Sequence, residues 1–392
     1  MRSLRELCDQ GSLAVYFDAT PLLDTNWTGI PVVAAHLARE FIADLGSGVC
    51  FFSGGYEVHG HAVAEALEAG GGKRLADQFH ADLARRPLNF ASETMRVGFY
   101  PSVKKYISIF DYEYSLVHDL STLLTPQFHT VENIRHHMNG AAAEISSNTI
   151  TFCVSRATQE DVQNYFGVTP DRLHVAYNGV SWPPDFDKEF DAYVGAADVE
   201  PFVTILGTRE PRKNIRLVYE ALERYPELLE QYRFVFVGKV GWGEGQSPVP
   251  KSLEPYVERG RILFTGYATE FEKYKVLRAA QFSIYPSLFE GFGLPVAESM
   301  SVGTPCICAA SSSLVEVGGS AAIYFDALSR DSLRQAITQL QSEGSDGLRA
   351  RGERSIAQAN RFNWSNMYRE IQSAMAQSLP GTKAASARTT GA

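Results

Sequence analysis

Short runs rich in Val, Ile, Leu and Phe alternate along this chain with longer stretches whose apolar residues return every three or four positions. That rhythm predicts strands alternating with amphipathic helices, and hence parallel βαβ units. Leu13–Phe17, ending at Asp18, reads as the first strand. The loop from Thr20 to Thr28 then leads through Gly29 into a helix near Pro31–Ala43. Val49–Ser53, Leu116–His118 and Thr149–Val154 continue the sheet, a helix is predicted over Arg156–Phe166, and Leu173–Ala176 closes the series. Trp182–Pro201 is rich in Pro, Asp and Gly, carries no convincing period and reads as an interdomain linker. A second series runs through Phe202–Leu206, Arg233–Val237, Ile262–Phe264, Phe282–Tyr285 and Pro305–Ala309. A last amphipathic helix opens near Asn363 or Ser365, either of which suits a cap. Beyond Leu379 bulky apolar residues are scarce, which predicts a disordered tail.

At 392 residues, two compact domains are the natural expectation, and a hydrophobic fraction of 45% is ample for two cores. No stretch is apolar for long enough to span a bilayer, and the N-terminus lacks the apolar core and cleavage site of a signal peptide. The five cysteines are scattered, odd in number and without metal-ligand spacing, which fits a reducing cytoplasm. A formal charge of -9 argues against nucleic acid as the main partner. Basic clusters at Lys73-Arg74, Arg85-Arg86 and Lys104-Lys105 leave peripheral membrane contact through the N-terminal half open, beside a plain reading as solvated loop charge.

The segment Glu290-Gly-Phe-Gly-Leu-Pro-Val-Ala-Glu298 joins an apolar strand to a helix through a turn suited to a ligand. Gly291 and Gly293 permit positive φ and close backbone approach, and Pro295 suits a first helical turn. The helix N-terminus favours negative charge. Glu290 and Glu298 stand about two turns apart, so both can face one polyhydroxylated molecule. A Gly-rich turn with two surface glutamates is the plain alternative. Arg209 and Lys213 fall in a loop between a strand and a helix, where cations can offset anionic charge.

Together these segments resemble retaining nucleotide-sugar glycosyltransferases of family 4, which have the GT-B fold. Glu290 and Glu298 match the E-x7-E motif, and Gly207-Thr-Arg-Glu-Pro-Arg-Lys-Asn214 resembles the diphosphate-binding segment. Gly238-Lys-Val-Gly-Trp242, Thr265-Gly-Tyr267, Tyr285-Pro-Ser287 and Gly303-Thr-Pro305 follow in the expected order. Val117-His-Asp-Leu120, Val154-Ser155 and Tyr177-Asn-Gly-Val180 match the first domain. The resemblance runs from about Val15 to Tyr368 and is thin between Tyr56 and Tyr114.

It implies two Rossmann-like parallel-sheet domains facing a central cleft: an acceptor-binding domain over 1–182, a linker over 183–201 and a donor-binding domain over 202–362. A helix over 363–378 would cross back to the first domain, followed by the tail 379–392. The implied catalytic set is Lys213, Arg209, Glu290 and His118. Arg209 would replace a charge the family often places where this chain has Thr208. Donor contacts would fall to Gly29, Thr208, Lys239, Trp242, Tyr267, Gly291, Phe292, Gly293, Leu294 and Glu298, with Glu298 on the ribose hydroxyls. Trp242 and Tyr267 can equally be packing aromatics, and Ser155 has a packing role open to it.

The expected activity is transfer of mannose or a related deoxyhexose from a GDP-sugar, without metal or other cofactor, to a saccharide or glycolipid acceptor. The setting would be surface polysaccharide or lipid-linked oligosaccharide synthesis in the cytoplasm or at the inner membrane face. UDP- or dTDP-sugar transfer, a sugar-phosphate synthase, a nucleotide-sugar hydrolase and a non-catalytic nucleotide-sugar binder remain as alternatives.

Overall fold

The alternating apolar runs build one parallel sheet in each half of the chain. The computed structural model describes residues 3–82, 85–90, 94–138, 140–194, 200–241 and 248–380. It divides into a first unit of Met1–Leu120, His137–Gly179 and the chain from Trp364 on, and a second of Ser121–His136 and Val180–Asn363.

The first unit carries β1 (Leu13–Asp18), β2 (Val49–Ser53), β3 (Tyr56–Val58), β4 (Met95–Tyr100), β5 (Tyr112–Val117), β6 (Ile150–Cys153) and β7 (Leu173–Val175). Their order across the sheet is β3-β2-β1-β4-β5-β6-β7, parallel except for the β2–β3 hairpin. β4 sits beside β1 at the point where strand order reverses, yet the hydrophobic pattern does not announce it. Gly98 interrupts its apolar run for a packing reason. A Cβ there would stand 2.2 Å from the Phe110 ring, which stacks on Tyr16 with centroids 4.9 Å apart. Fully buried Phe17, Phe41, Phe99 and Phe152 form the aromatic centre, each contributing about 1.5–3 kcal/mol of burial.

The C-terminal helix Trp364–Ser378 belongs to this unit, as expected of a crossover helix. Trp364 stacks flat on His36 at 4.2 Å, Tyr368 meets Phe41 edge-on and donates to Asp44, and Ser378 bonds Tyr114. Ser365 lies inside the helix and donates to Glu40 rather than capping it. Of the expected tail, residues 381–392 lie outside the described residues.

The second unit holds β8 (Phe202–Leu206), β9 (Arg233–Val237), β10 (Ile262–Gly266), β11 (Phe282–Tyr285), β12 (Cys306–Ala309) and β13 (Ile323–Phe325). Their order is β10-β9-β8-β11-β12-β13, parallel throughout. The segment expected as linker contains a helix, Phe186–Val194. Phe186 and Phe190, one turn apart, pack on Tyr274 of the helix Glu270–Ala279. The acidic residues around them hide this two-residue stripe from a reading by composition.

Candidate active site

In an open parallel sheet, ligands bind beyond the strand C-termini where strand order reverses. In the second unit that place lies between β8 and β11, paired at Val203↔Phe282 and Thr204↔Ser283. The loops after these two strands carry Arg209–Lys213 and Glu290. Backbone bonds stitch the β8 loop to its neighbour: Gly207 N donates to Val237, Arg209 N to Lys239 and Gly241 N to Arg209. Gly238, at φ +141°, has no room for a side chain, since a Cβ would lie 2.1 Å from the Gly207 carbonyl oxygen.

At the centre is a cluster of four charges. Lys213 Nζ donates to Glu290 Oε1 at 2.6 Å, while Arg212 Nη1 reaches Glu290 Oε2 at 3.0 Å and the Phe289 carbonyl at 2.7 Å. Arg212 Nη2 donates to Glu210 Oε1 at 2.8 Å. Burial alone would raise the Glu290 carboxyl, but the charges of Lys213 and Arg212, with hydrogen bonds from Lys213 and Ser287, hold it down at about 2. Glu290 is therefore an acceptor only, not a proton donor at neutral pH. Burial pushes the Glu210 carboxyl up, opposed by the same two cations. Arg212, left aside in the sequence reading, is thus part of the cluster, visible only once β8 and β11 are adjacent.

The turn after Glu290 is held from behind. Ser312 Oγ donates to the Glu290 carbonyl at 2.6 Å, and Ser313 Oγ lies 2.9 Å from the carbonyls of Glu290 and Phe292. Gly293, at φ +97°, opens the helix Leu294–Ser301 with Pro295 in its first turn. Gly291 and Phe292 are buried here, and Leu294 is half-buried. Glu298 lies on that helix and pairs with Lys273, a partner the sequence reading did not name.

The other candidates scatter. Arg209 packs its guanidinium 4.7 Å from the Phe264 ring centroid, and its buried Nε has no hydrogen bond among the described residues. Thr208 is exposed beside it. Lys239 and Tyr267 come together on the exposed rim, ammonium over ring at 4.7 Å. Trp242 lies outside the described residues.

In the first unit, Gly29 stands exposed at φ +60° before the helix Ile30–Leu45. His118 follows β5 directly and bonds the Pro101 carbonyl just past β4 at 2.8 Å. A carbonyl only accepts, so Nε2 carries the proton and Nδ1 keeps its lone pair. Burial lowers the His118 pKa, opposed by the Pro101 bond and Asp119, favouring the neutral ring. Ser155 takes a structural role, capping the helix Arg156–Phe166 by accepting from Thr158 N at 3.0 Å. One member of the basic clusters needs correction: Lys104 is buried, bound to Glu113 at 2.9 Å and Ser147 at 2.7 Å, and cannot face a membrane.

With the geometry in place, known proteins are comparable. Residues 187–356 match the family model for Glycosyl transferases group 1. The chain is 29% identical over 261 residues to O-antigen chain mannosyltransferase B of Escherichia coli, a match spanning 64% of this chain and 66% of that protein. Sucrose-phosphate synthase of Thermosynechococcus elongatus superposes with a TM-score of 0.66 at 16% identity, over 93% of this chain and 98% of that one. Anabaena Alr3699/HepE, solved in complex with UDP-glucose, gives 0.63 at 16% identity, over 93% and 100%. The fold is thus the two-unit Rossmann-like architecture of GT-B glycosyltransferases, and among the described residues no helix is long and apolar enough to cross a membrane.

Proposed function

We propose that this chain is a retaining glycosyltransferase that moves mannose or a related deoxyhexose from a GDP-sugar to a saccharide or glycolipid acceptor. The observation that carries the proposal is the Lys213–Glu290–Arg212 cluster at the β8/β11 switch point. Similarity to an O-antigen mannosyltransferase supports mannose and surface-polysaccharide synthesis. In this reading the bond from the anomeric carbon to the diphosphate oxygen breaks as the acceptor oxygen bonds that carbon on the same face. The acceptor proton passes to the departing diphosphate oxygen. Lys213 and Arg212 offset the charge growing on the diphosphate, a role that requires no metal. Ionised Glu290 accepts from sugar hydroxyls, Glu298 accepts from the ribose, and His118 Nδ1 accepts from a hydroxyl. The first unit would supply the acceptor contacts, at the inner face of the membrane.

The HepE complex keeps a UDP-sugar donor as a second reading. Nucleotide release from GDP-mannose, UDP-glucose and a dTDP-sugar, each with and without excess EDTA, separates the readings. Turnover of GDP-mannose that survives EDTA is expected. A clear UDP preference would overturn the donor, loss restored by magnesium would overturn metal independence, and nucleotide binding with no turnover would leave a non-catalytic binder.

A further inference from the structure

Glu298 does not stand alone on its helix. Lys273 Nζ donates to Glu298 Oε1 and lies 5.1 Å from the centroid of the Trp182 ring. Trp182 is itself fixed: its Nε1 donates to Ser301 Oγ at 2.8 Å, and its ring meets Tyr274 edge-on at 5.3 Å. Ser301 Oγ in turn donates to the Glu298 backbone carbonyl at 2.7 Å. Both the carboxylate and the backbone of Glu298 are therefore tied to one cluster. The Lys273 and Glu298 side chains are only 26% and 15% exposed, so solvent screens this pair less than an exposed one. Oε2 of Glu298 has no hydrogen-bond partner among the described residues.

The geometry points to Lys273 as a positioning residue that sets the preference for a ribose-bearing donor. An ionised carboxylate offers about four lone-pair sites over two oxygens. The ammonium, backed by the Trp182 face, occupies one oxygen and fixes the rotamer, and the second oxygen is left for the ribose hydroxyls. The inference rests on the reading of Glu298 as the ribose acceptor. Lys273 touches no substrate; it acts through Glu298.

The test is calorimetric titration of the full chain with GDP, UDP and their 2′,3′-dideoxy counterparts. The proteins compared are wild type, Lys273→Met, Lys273→Arg, Glu298→Gln and the Lys273→Met, Glu298→Gln double variant, each checked for folding by circular dichroism. Hydrogen bonds to a charged group correspond to roughly ten- to hundredfold in affinity, so wild type should favour the ribonucleotide by about that ratio. Lys273→Met should lose roughly tenfold for the ribonucleotide and nothing for the dideoxy form. Lys273→Arg should retain most of the preference, and Lys273→Met added to Glu298→Gln should cost nothing further. Donor KM should rise in Lys273→Met with kcat changed by less than about threefold. Equal losses for ribo and dideoxy ligands, or no loss at all, would overturn the role of Lys273 and leave the donor site standing. Failure of wild type to bind any nucleoside diphosphate would overturn the donor site itself, and this inference with it.

Discussion

The two units use charge in opposite ways. In the second, the candidate acids and bases are paired across neighbouring elements: Lys213 and Arg212 with Glu290 between two loops, and Lys273 with Glu298 between two helices. In the first, the candidate group His118 is neutral and held by a backbone carbonyl, while charges serve the fold. Glu113 accepts from Lys104 and from the backbone N–H groups of Ser108, Ile109 and Phe110. Asp18 accepts both the N–H and the hydroxyl of Thr20, and burial raises it to about 6. A site for a diphosphate needs countercharge ready before the ligand arrives, and two carboxylates keep two buried-edge cations solvated in the meantime. A site for sugar hydroxyls needs oriented lone pairs and little net charge. On the proposed function, the contrast separates the donor half from the acceptor half.

The largest effect that can break this comparison is expected at Lys213. On the proposed function, Lys213→Ala removes charge that would act as the sugar–phosphate bond breaks, so kcat should fall on the order of a hundredfold with donor affinity changed much less. It also removes a main charge holding the Glu290 carboxyl at about 2, although Arg212 remains. Steady-state kinetics on the variant reads this directly. A kcat near wild type would mean the cluster is structural, and the contrast between the units would lose its functional sense.

How far the sequence reveals this contrast follows from what each feature depends on. Phe202–Leu206, Arg233–Val237 and Phe282–Tyr285 are strands buried on both faces, and their mostly apolar runs show in the sequence. β4 does not show, because Gly98 is chosen to fit Phe110, a contact no local pattern contains. The helix Phe186–Val194 hides because Phe186 and Phe190 are separated by Asp187, Lys188 and Glu189. At the site, Lys213, Glu290 and Glu298 are legible from motif spacing. Arg212, Lys273, Ser312 and Ser313 are not, because each acts through a partner set by tertiary proximity, 78 positions away for Arg212 and Glu290.

A smaller effect tests a second buried histidine of the first unit, His36, beside His118. Burial, helped by the Arg39 charge, lowers His36 from 6.5 to about 3, so the native ring stacked on Trp364 stays uncharged. The unfolded chain takes up that proton below about pH 6.5, so stability is lost as pH falls from 6.5 towards 3, by up to about 2 kcal/mol at pH 5. His36→Phe keeps an aromatic face for Trp364 and removes the titration. Thermal melts at pH 6.5 and pH 5 should show a Tm drop smaller in the variant by a few degrees. Parallel drops would mean His36 is protonated in the native state.

The smallest effect is expected at Arg209, and it tests the comparison most directly because motif spacing and structure give this residue different positions. Its guanidinium packs over Phe264 beside Tyr219, and its buried Nε has no hydrogen bond among the described residues. A cation placed there contributes packing and a modest cation–π attraction, about 0.5–2 kcal/mol, more than field at the Lys213–Glu290 pair. Arg209→Met keeps most of the side-chain volume and removes the charge. Lowering of kcat by less than about threefold, with a Tm lower by a few degrees, is the expected result. Kinetics and melting on the same preparation distinguish the two contributions. If kcat fell as far as in Lys213→Ala, Arg209 would have to swing from Phe264 to the diphosphate when donor binds. The buried, unpaired Nε would then mark a residue held away from its working position, and the donor half would hold a third cation.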